Sequence, residues 1–206
     1  RDGDRIHRMY MEYSNVSGKT LSASVPPMFA THLQAAYPEV ESSLRMMMFS
    51  GKLLMEAGEK RAYENDGLIV DPTFFEFFPL EFVQGDPATA LEGSASVVIT
   101  AELARRYFGT EQAVGKLMKV DKGDYTVKGV LASVPEHFHL KVGYLIPLAA
   151  AGIPKERMDK WTWNQFYTYV KLRPGTDVGA LQAKFQSFVN REINPQSLKD
   201  GRSSFL

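Results

Sequence analysis

Hydrophobic positions along this chain change their period several times, and each change predicts an element. From Arg5 to Tyr13 the sequence RIHRMYMEY is dense in aromatic and long side chains and runs into the turn-prone SNVSGK, which predicts a strand closed by a turn. Ser24-Val25-Pro26-Pro27 then opens a helix. Proline is tolerated in a first turn, and Phe29, Leu33 and Ala36/Tyr37 recur at helical spacing until Pro38 ends the run. Between Leu44 and Val70 the runs RMMMF, KLLMEA, KRAYE and GLIV are parted by Ser-Gly, Ala-Gly and Asn-Asp-Gly and predict short strands.

Asp71-Pro72 begins a different texture. TFFEFFPLEFVQGDP is crowded with aromatic residues and closes in a Gly85-Asp86-Pro87 turn. In SVVITAELARRYFGTEQAVGKLM, residues 96–118, an apolar run leads into a helix. Thr100 is placed to cap it, Glu102 suits its first turn, and Leu103, Tyr107 and Phe108 form a narrow apolar face before Gly109, where a helix end favours a left-handed residue. A strand follows at YTVKGVL, with Tyr125, Val127, Gly129 and Leu131 on one face, and Leu140, Val142, Tyr144, Ile146 and Leu148 alternate in the same way. The last third predicts a strand at FYTYVKL, a turn at Arg173-Pro174-Gly175, and a helix capped by Thr176 or Asp177 with Val178, Leu181, Phe185, Phe188 and Val189 as its stripe. After Ile193 the chain turns polar and is expected to leave the core. The fold class is α+β.

Composition narrows the choice of function. With 206 residues, 44% hydrophobic content, 13 Phe and 9 Tyr, the chain is long and apolar enough to bury a substantial core. Its 24 basic and 24 acidic residues cancel, and no clustered basic run offers itself to a nucleic acid. The absence of cysteine excludes disulfides, thiolate metal sites and cysteine nucleophiles. The most apolar segment, YLIPLAAAGIP at 144–154, is short and broken by Pro147 and Pro154, and a membrane helix needs about 20 apolar residues. Starting at Arg1 and stopping at Ser203-Ser204-Phe205-Leu206, the chain reads as an excised fragment, so a membrane-anchored parent stays open.

Candidate chemistry is sparse. Gly18-Lys19-Thr20 matches the end of a phosphate-binding loop, but the required earlier glycine is Tyr13, so the backbone cannot present its run of N–H donors and the match is chance. Of the histidines His7, His32, His137 and His139, the last two could point to one side of an extended segment and hold a metal as a pair; with no cysteine and no third histidine near in sequence, a surface loop is the favoured reading. Phe74, Phe75, Phe77, Phe78 and Phe82 suit a core more than a ligand pocket. Asn15-Val16-Ser17 matches a glycosylation acceptor, which matters only in a eukaryotic secretory setting. The glycines around 109 and 115 do not make a nucleotide site, because the free N–H groups lie at the helix start, where Glu102 has the wrong charge for an anion. They are scaffold.

Three blocks, FFEFFPLEFVQGDPATAL, SVVITAELARRYFGTEQAVGKLM and YTVKGVLASVPEHFHLKVGYLIPL, occur here in an order and spacing that resemble the MacB-like periplasmic core domain of FtsX-like ABC transporter permeases of bacteria. The likeness is dense over residues 72–148 and rests on Phe75, Phe77, Gly85, Asp86, Phe108, Gly109, Gly115, Gly129, Val130 and Pro135 as structural signature positions. Family members often carry Asp before the Val-Pro where this chain has Ser133. The resemblance implies a discontinuous porter-like subdomain, residues 1–71 plus 141–206, and an inserted Sabre-like mixed α/β subdomain, residues 72–140.

It also implies a non-catalytic extracytoplasmic domain of an inner-membrane permease, with no catalytic, cofactor or metal residues and no cofactor. The implied partners are its own membrane helices, a cytoplasmic ABC ATPase subunit or domain, a second permease subunit and a periplasmic adaptor or other extracytoplasmic protein. Movement made by the ATPase would pass through the domain to substrate efflux or to such a partner. Arg5 and the helix end near Ile193 are then expected on one membrane-facing side, and the isolated chain is expected to be monomeric or weakly dimeric. A periplasmic ligand- or peptide-binding module using the cleft between the subdomains is the alternative. An enzyme would need a clustered acid, base or nucleophile with perturbed pKa values.

Overall fold

A computed structural model describes residues 3–15, 18–48 and 51–195. In chain order the strands and helices are β1 (Ile6–Arg8), β2 (Met11–Asn15), β3 (Gly18–Ser22), α1 (Met28–Ala36), β4 (Val40–Met48), β5 (Leu53–Ala57), β6 (Lys60–Glu64), β7 (Gly67–Val70), α2 (Phe74–Phe77), β8 (Phe82–Gly85), β9 (Ser96–Thr100), α3 (Ala101–Phe108), β10 (Leu117–Val120), β11 (Gly123–Leu131), β12 (Tyr144–Pro147), α4 (Lys155–Met158), β13 (Tyr167–Leu172) and α5 (Val178–Phe188). The described residues form two compact units, one within 1–45 and 153–195 and one within 46–152.

In the first unit β13 lies between β1 and β4, and β1 pairs with it antiparallel, Ile6 opposite Lys171 and Arg8 opposite Tyr169. The predicted helices follow their sequence signals. The amide of Tyr37 donates to the Leu33 carbonyl (2.9 Å) where Pro38 stops α1, and the Asp177 carboxylate accepts from the Ala180 amide (3.0 Å) to cap α5. Phe29 and Leu33 of α1, Leu181 and Phe188 of α5 and Val170 and Leu172 of β13 share one buried cluster with Met9, Val25 and Trp161. Helical periodicity continues past Phe188 as a π-helical turn, Val189–Ile193, which keeps Val189 and Ile193 buried in that cluster. Val178 is the exception to the predicted stripe and stays 41% exposed.

The expected single strand over 5–13 is two strands, broken at Met9-Tyr10, and β2 turns into an antiparallel hairpin with β3. A second difference concerns the ends. Arg5 Nε donates to the Leu172 carbonyl (2.8 Å), so Arg5 sits where β13 finishes. At the other end of β13, Phe166 bridges to Val25, just ahead of α1, and Phe188 packs on Phe29 with ring centroids 5.9 Å apart. The helix that leaves the Leu172 end therefore finishes beside the start of β13. Arg5 and Ile193 lie at opposite ends of the unit, not on one side.

In the second unit the strand order is β4-β7-β12-β9-β11-β10-β5-β6, with β8 added on β11. The four strands expected between 44 and 70 all form. Two parallel pairs, β7 with β12 and β9 with β11, sit inside a mixed sheet, and β12 pairs antiparallel with β9. Burial on both faces explains why GLIV, SVVI and YLIP are continuous apolar runs: every residue of β7 and β12 is buried, as are Ser96 to Ile99. The alternation expected over 140–148 gives way to this, and only residues 144–147 form strand. Pairing of β7 with β12, and of β12 with β9, also places residues 46–71 and 141–152 in the same compact unit as 72–140, so the expected boundaries after Asp71 and Leu140 fall inside it.

Candidate functional site

A polar cleft of about 860 Å³ opens in the second unit and gathers more charged side chains than any other described cavity. The end of β6 and the outer face of α3 build it. Glu64 is buried, and Arg106 Nη1 donates to both of its carboxylate oxygens at 2.8 Å while Arg106 Nη2 donates to Glu102 Oε1 at 2.7 Å. The Tyr107 hydroxyl donates to Glu64 Oε1 at 2.8 Å. Burial, reinforced by the Glu64 carboxylate, pushes the Tyr107 pKa far up, and the hydrogen bond to Glu64 raises that of Arg106. Arg105 pairs with Glu111, and Lys60 Nζ donates to the Arg106 carbonyl (2.6 Å).

This arrangement neutralises itself. The carboxylate of Glu64 is surrounded by donors, both Arg106 and Arg105 are bonded to acids, and a tyrosine held protonated is no nucleophile. At the start of α3, Thr100 Oγ1 accepts from the Leu103 amide (3.4 Å) and occupies a donor that a phosphate would need. The cleft is a cross-brace from β6 to α3.

Other candidates resolve in the same direction. Gly18-Lys19-Thr20 lies in strand β3, where Lys19 Nζ meets Glu12 at 3.0 Å, so it is no phosphate loop. His139 packs against Phe78 and Phe138 with centroids 5.5 and 5.1 Å away, and His32 packs edge-on against Trp161 at 5.0 Å. No cluster of three metal-ligating side chains occurs among the described residues. Phe74, Phe75, Phe77 and Phe78 are buried, and the rings of Phe75 and the half-buried Phe82 approach to 4.7 Å, which makes this cluster core. Of the Asn15-Val16-Ser17 acceptor, Val16 and Ser17 lie outside the described residues.

The sequence profile of the MacB-like periplasmic core domain matches residues 2–188. The chain belongs to this family. Solved structures carry the same fold. A domain assigned to a permease protein from Porphyromonas gingivalis superposes with a TM-score of 0.84 at 21% identity, over 99% of this chain and 88% of that one. The periplasmic region of MacB from Actinobacillus actinomycetemcomitans gives 0.63 at 13% identity, over 99% and 88%. The extracellular domain of YknZ, a noncanonic ABC-type transporter from Gram-positive bacteria, gives 0.57 at 13% identity, over 97% and 98%. Among curated proteins, none matches the chain by sequence.

In this MacB-like domain the positions on which the sequence resemblance was read lie where backbone closes on itself, where side chains are buried or in an exposed turn. Gly85 (φ +100°) lies opposite Gly129, and a Cβ on it would stand 2.5 Å from the Lys128 carbonyl oxygen. A Cβ on Gly129 would stand 2.5 Å from the Phe82 ring, so the two glycines let β8 close on β11 beneath that aromatic residue. Asp86 Oδ1 accepts from the Ala88 amide (2.9 Å) and fixes the following turn. Phe75, Phe77 and Val130 are buried, and Phe108 lies under the Lys116 ammonium at 5.2 Å. Gly109 (φ +72°) closes α3, its amide donating to the Arg105 carbonyl at 2.9 Å. The Gly115 amide donates to the Val127 carbonyl (2.8 Å), and the Pro135 carbonyl accepts from the Phe138 amide (2.9 Å) in an exposed turn.

What sequence reasoning missed is the long-range half of the brace. Glu102 and Arg106 stand four apart on α3, a legible pair. Glu64 arrives from β6, and nothing local announces it.

Proposed function

We propose that this chain is the extracytoplasmic domain of an ABC transporter permease and carries movement, generated by a cytoplasmic ATPase and passed through membrane helices, to a substrate or a periplasmic partner. The observation that supports this most is the family match over residues 2–188. The interior of the second unit agrees with a part that transmits rather than transforms. The Glu64, Arg106 and Tyr107 side chains are bonded to one another, and Gly85 and Gly129 serve strand contact. Among the described residues no helix is long and apolar enough to cross a membrane. The membrane helices would belong to the parent protein, in a pair of permeases joined mainly through their membrane parts. Ile193, at the far end from Arg5, is then not the point of return to the membrane.

A test uses the absence of native cysteine in this chain. Spin labels on exposed Tyr63 and Leu117 of the second unit should keep one mutual distance in the intact transporter with and without nucleotide, while their distance to labels in the membrane helices changes. A change within the unit, with no change relative to the membrane helices, would refute the reading.

A further inference from the structure

We infer that the open edge of β6 is a contact between two copies of this chain, joined as an antiparallel strand pair centred on Ala62. Among the described residues β6 ends the sheet of the second unit, with no strand on its far side. Its hairpin with β5 turns on Gly58-Glu59, with Ala57 opposite Lys60, Met55 opposite Ala62 and Leu53 opposite Glu64. A two-residue turn is closed by a hydrogen bond between the residues that flank it, and bonded pairs alternate from there. The backbone groups of Lys60, Ala62 and Glu64 therefore face β5, and those of Arg61 and Tyr63 face the open side. The side chains of these two stand in solvent: Tyr63 is 65% exposed, and the Arg61 side chain, paired with Glu56 at 2.9 Å, is 66% exposed.

Charge selects the occupant. An edge of one sign repels its own copy, which is how lysines ordinarily keep edges apart. β6 instead reads Lys60-Arg61-Ala62-Tyr63-Glu64, basic at its start and acidic at its end. An antiparallel copy reverses that order. With Ala62 opposite Ala62 of the copy, Lys60 stands across from Glu64, and the Arg61 guanidinium meets the Tyr63 ring, in both halves of the pair. The outward backbone groups of Arg61 then bond those of Tyr63. Centring the pair on Arg61 would set two arginines against each other, and centring it on Tyr63 would set Ala62 against Glu64 and leave Lys60 beyond the strand. Five paired residues bury far less than the roughly 1,200 Å² of a stable interface, so the association is weak and needs the two copies held close. The inference takes from the function proposed above only that two permeases meet, where tethering gives about millimolar effective concentration.

The experiment uses the 206-residue chain in solution, which has no native cysteine, so its failure would leave the transmission reading untouched. Residues opposed in a non-hydrogen-bonded antiparallel pair stand about 4.5 Å apart between Cα atoms, within disulfide range. Ala62→Cys, oxidised at about 1 mM, should therefore link two molecules at least about tenfold faster than Leu117→Cys, whose position is more exposed. Arg61→Glu added to Ala62→Cys should remove that advantage. Equal rates for the Ala62 and Leu117 variants would overturn the pairing. Hydrogen exchange provides a readout on the unmodified chain. The Arg61 and Tyr63 amides should exchange at least about threefold more slowly at about 1 mM than at about 10 μM, while those of Lys60, Ala62 and Glu64, already turned to β5, keep their rates. Arg61 and Tyr63 rates that do not change with concentration would refute the proposal.

Discussion

Tyr144 is fully buried, and its hydroxyl has no hydrogen-bond partner among the described residues. Its ring lies over Gly67 of the neighbouring parallel strand. A buried hydroxyl left unsatisfied costs about 1–3 kcal/mol, so Tyr144→Phe, which keeps the ring and drops the oxygen, is expected to stabilise the domain by about 1 kcal/mol at pH 7. Burial, with the carboxylates of Glu64 and Asp66 nearby, pushes the Tyr144 pKa up to about 12. The folded state thus binds this proton more tightly than the unfolded chain, whose tyrosines titrate near 10. Stability from it is complete below pH 10 and is lost as pH rises toward 12, at about 1.4 kcal/mol per pH unit. By pH 11 the advantage of the Phe variant should therefore grow to about 2 kcal/mol. Urea unfolding of both proteins at pH 7 and pH 11 measures this directly. A Phe variant destabilised by more than about 1 kcal/mol at pH 7 would mean the hydroxyl is satisfied. An advantage that does not grow with pH would refute the electrostatic part.

The same contact makes Gly67→Ala costly, because a Cβ there would stand 2.1 Å from Tyr144 Cζ; a loss of more than about 2 kcal/mol is expected, shrinking in a Tyr144→Leu background. Arg106→Met strands the Glu64 carboxylate with Tyr107 alone and should cost about 2 kcal/mol, less than a fully buried pair because Arg106 is 47% exposed. Glu102→Ala, which removes only the exposed partner, should cost under about 0.5 kcal/mol by the same thermal or urea measurement.

Sequence alone determined the local elements wherever one residue's preference and its neighbours' periodicity agreed. Pro38, Thr100, Gly109 and Asp177 end or cap their helices as expected because those effects act within one turn. The short strands between 44 and 70 followed from glycine turns between apolar runs, and the three signature blocks were enough to indicate the family. Tertiary structure decided what depends on strand order. An apolar run such as GLIV or YLIP does not name its partner, and only the sheet shows that β7 and β12 pair in parallel and bind residues 46–152 into one unit. The Glu64–Arg106 brace, the Tyr144–Gly67 contact and the separation of Arg5 from Ile193 all join residues far apart in sequence. Hydrophobic periodicity fixes which face of an element is buried, but the identity of the facing element is set by chain path and packing, which no local pattern encodes.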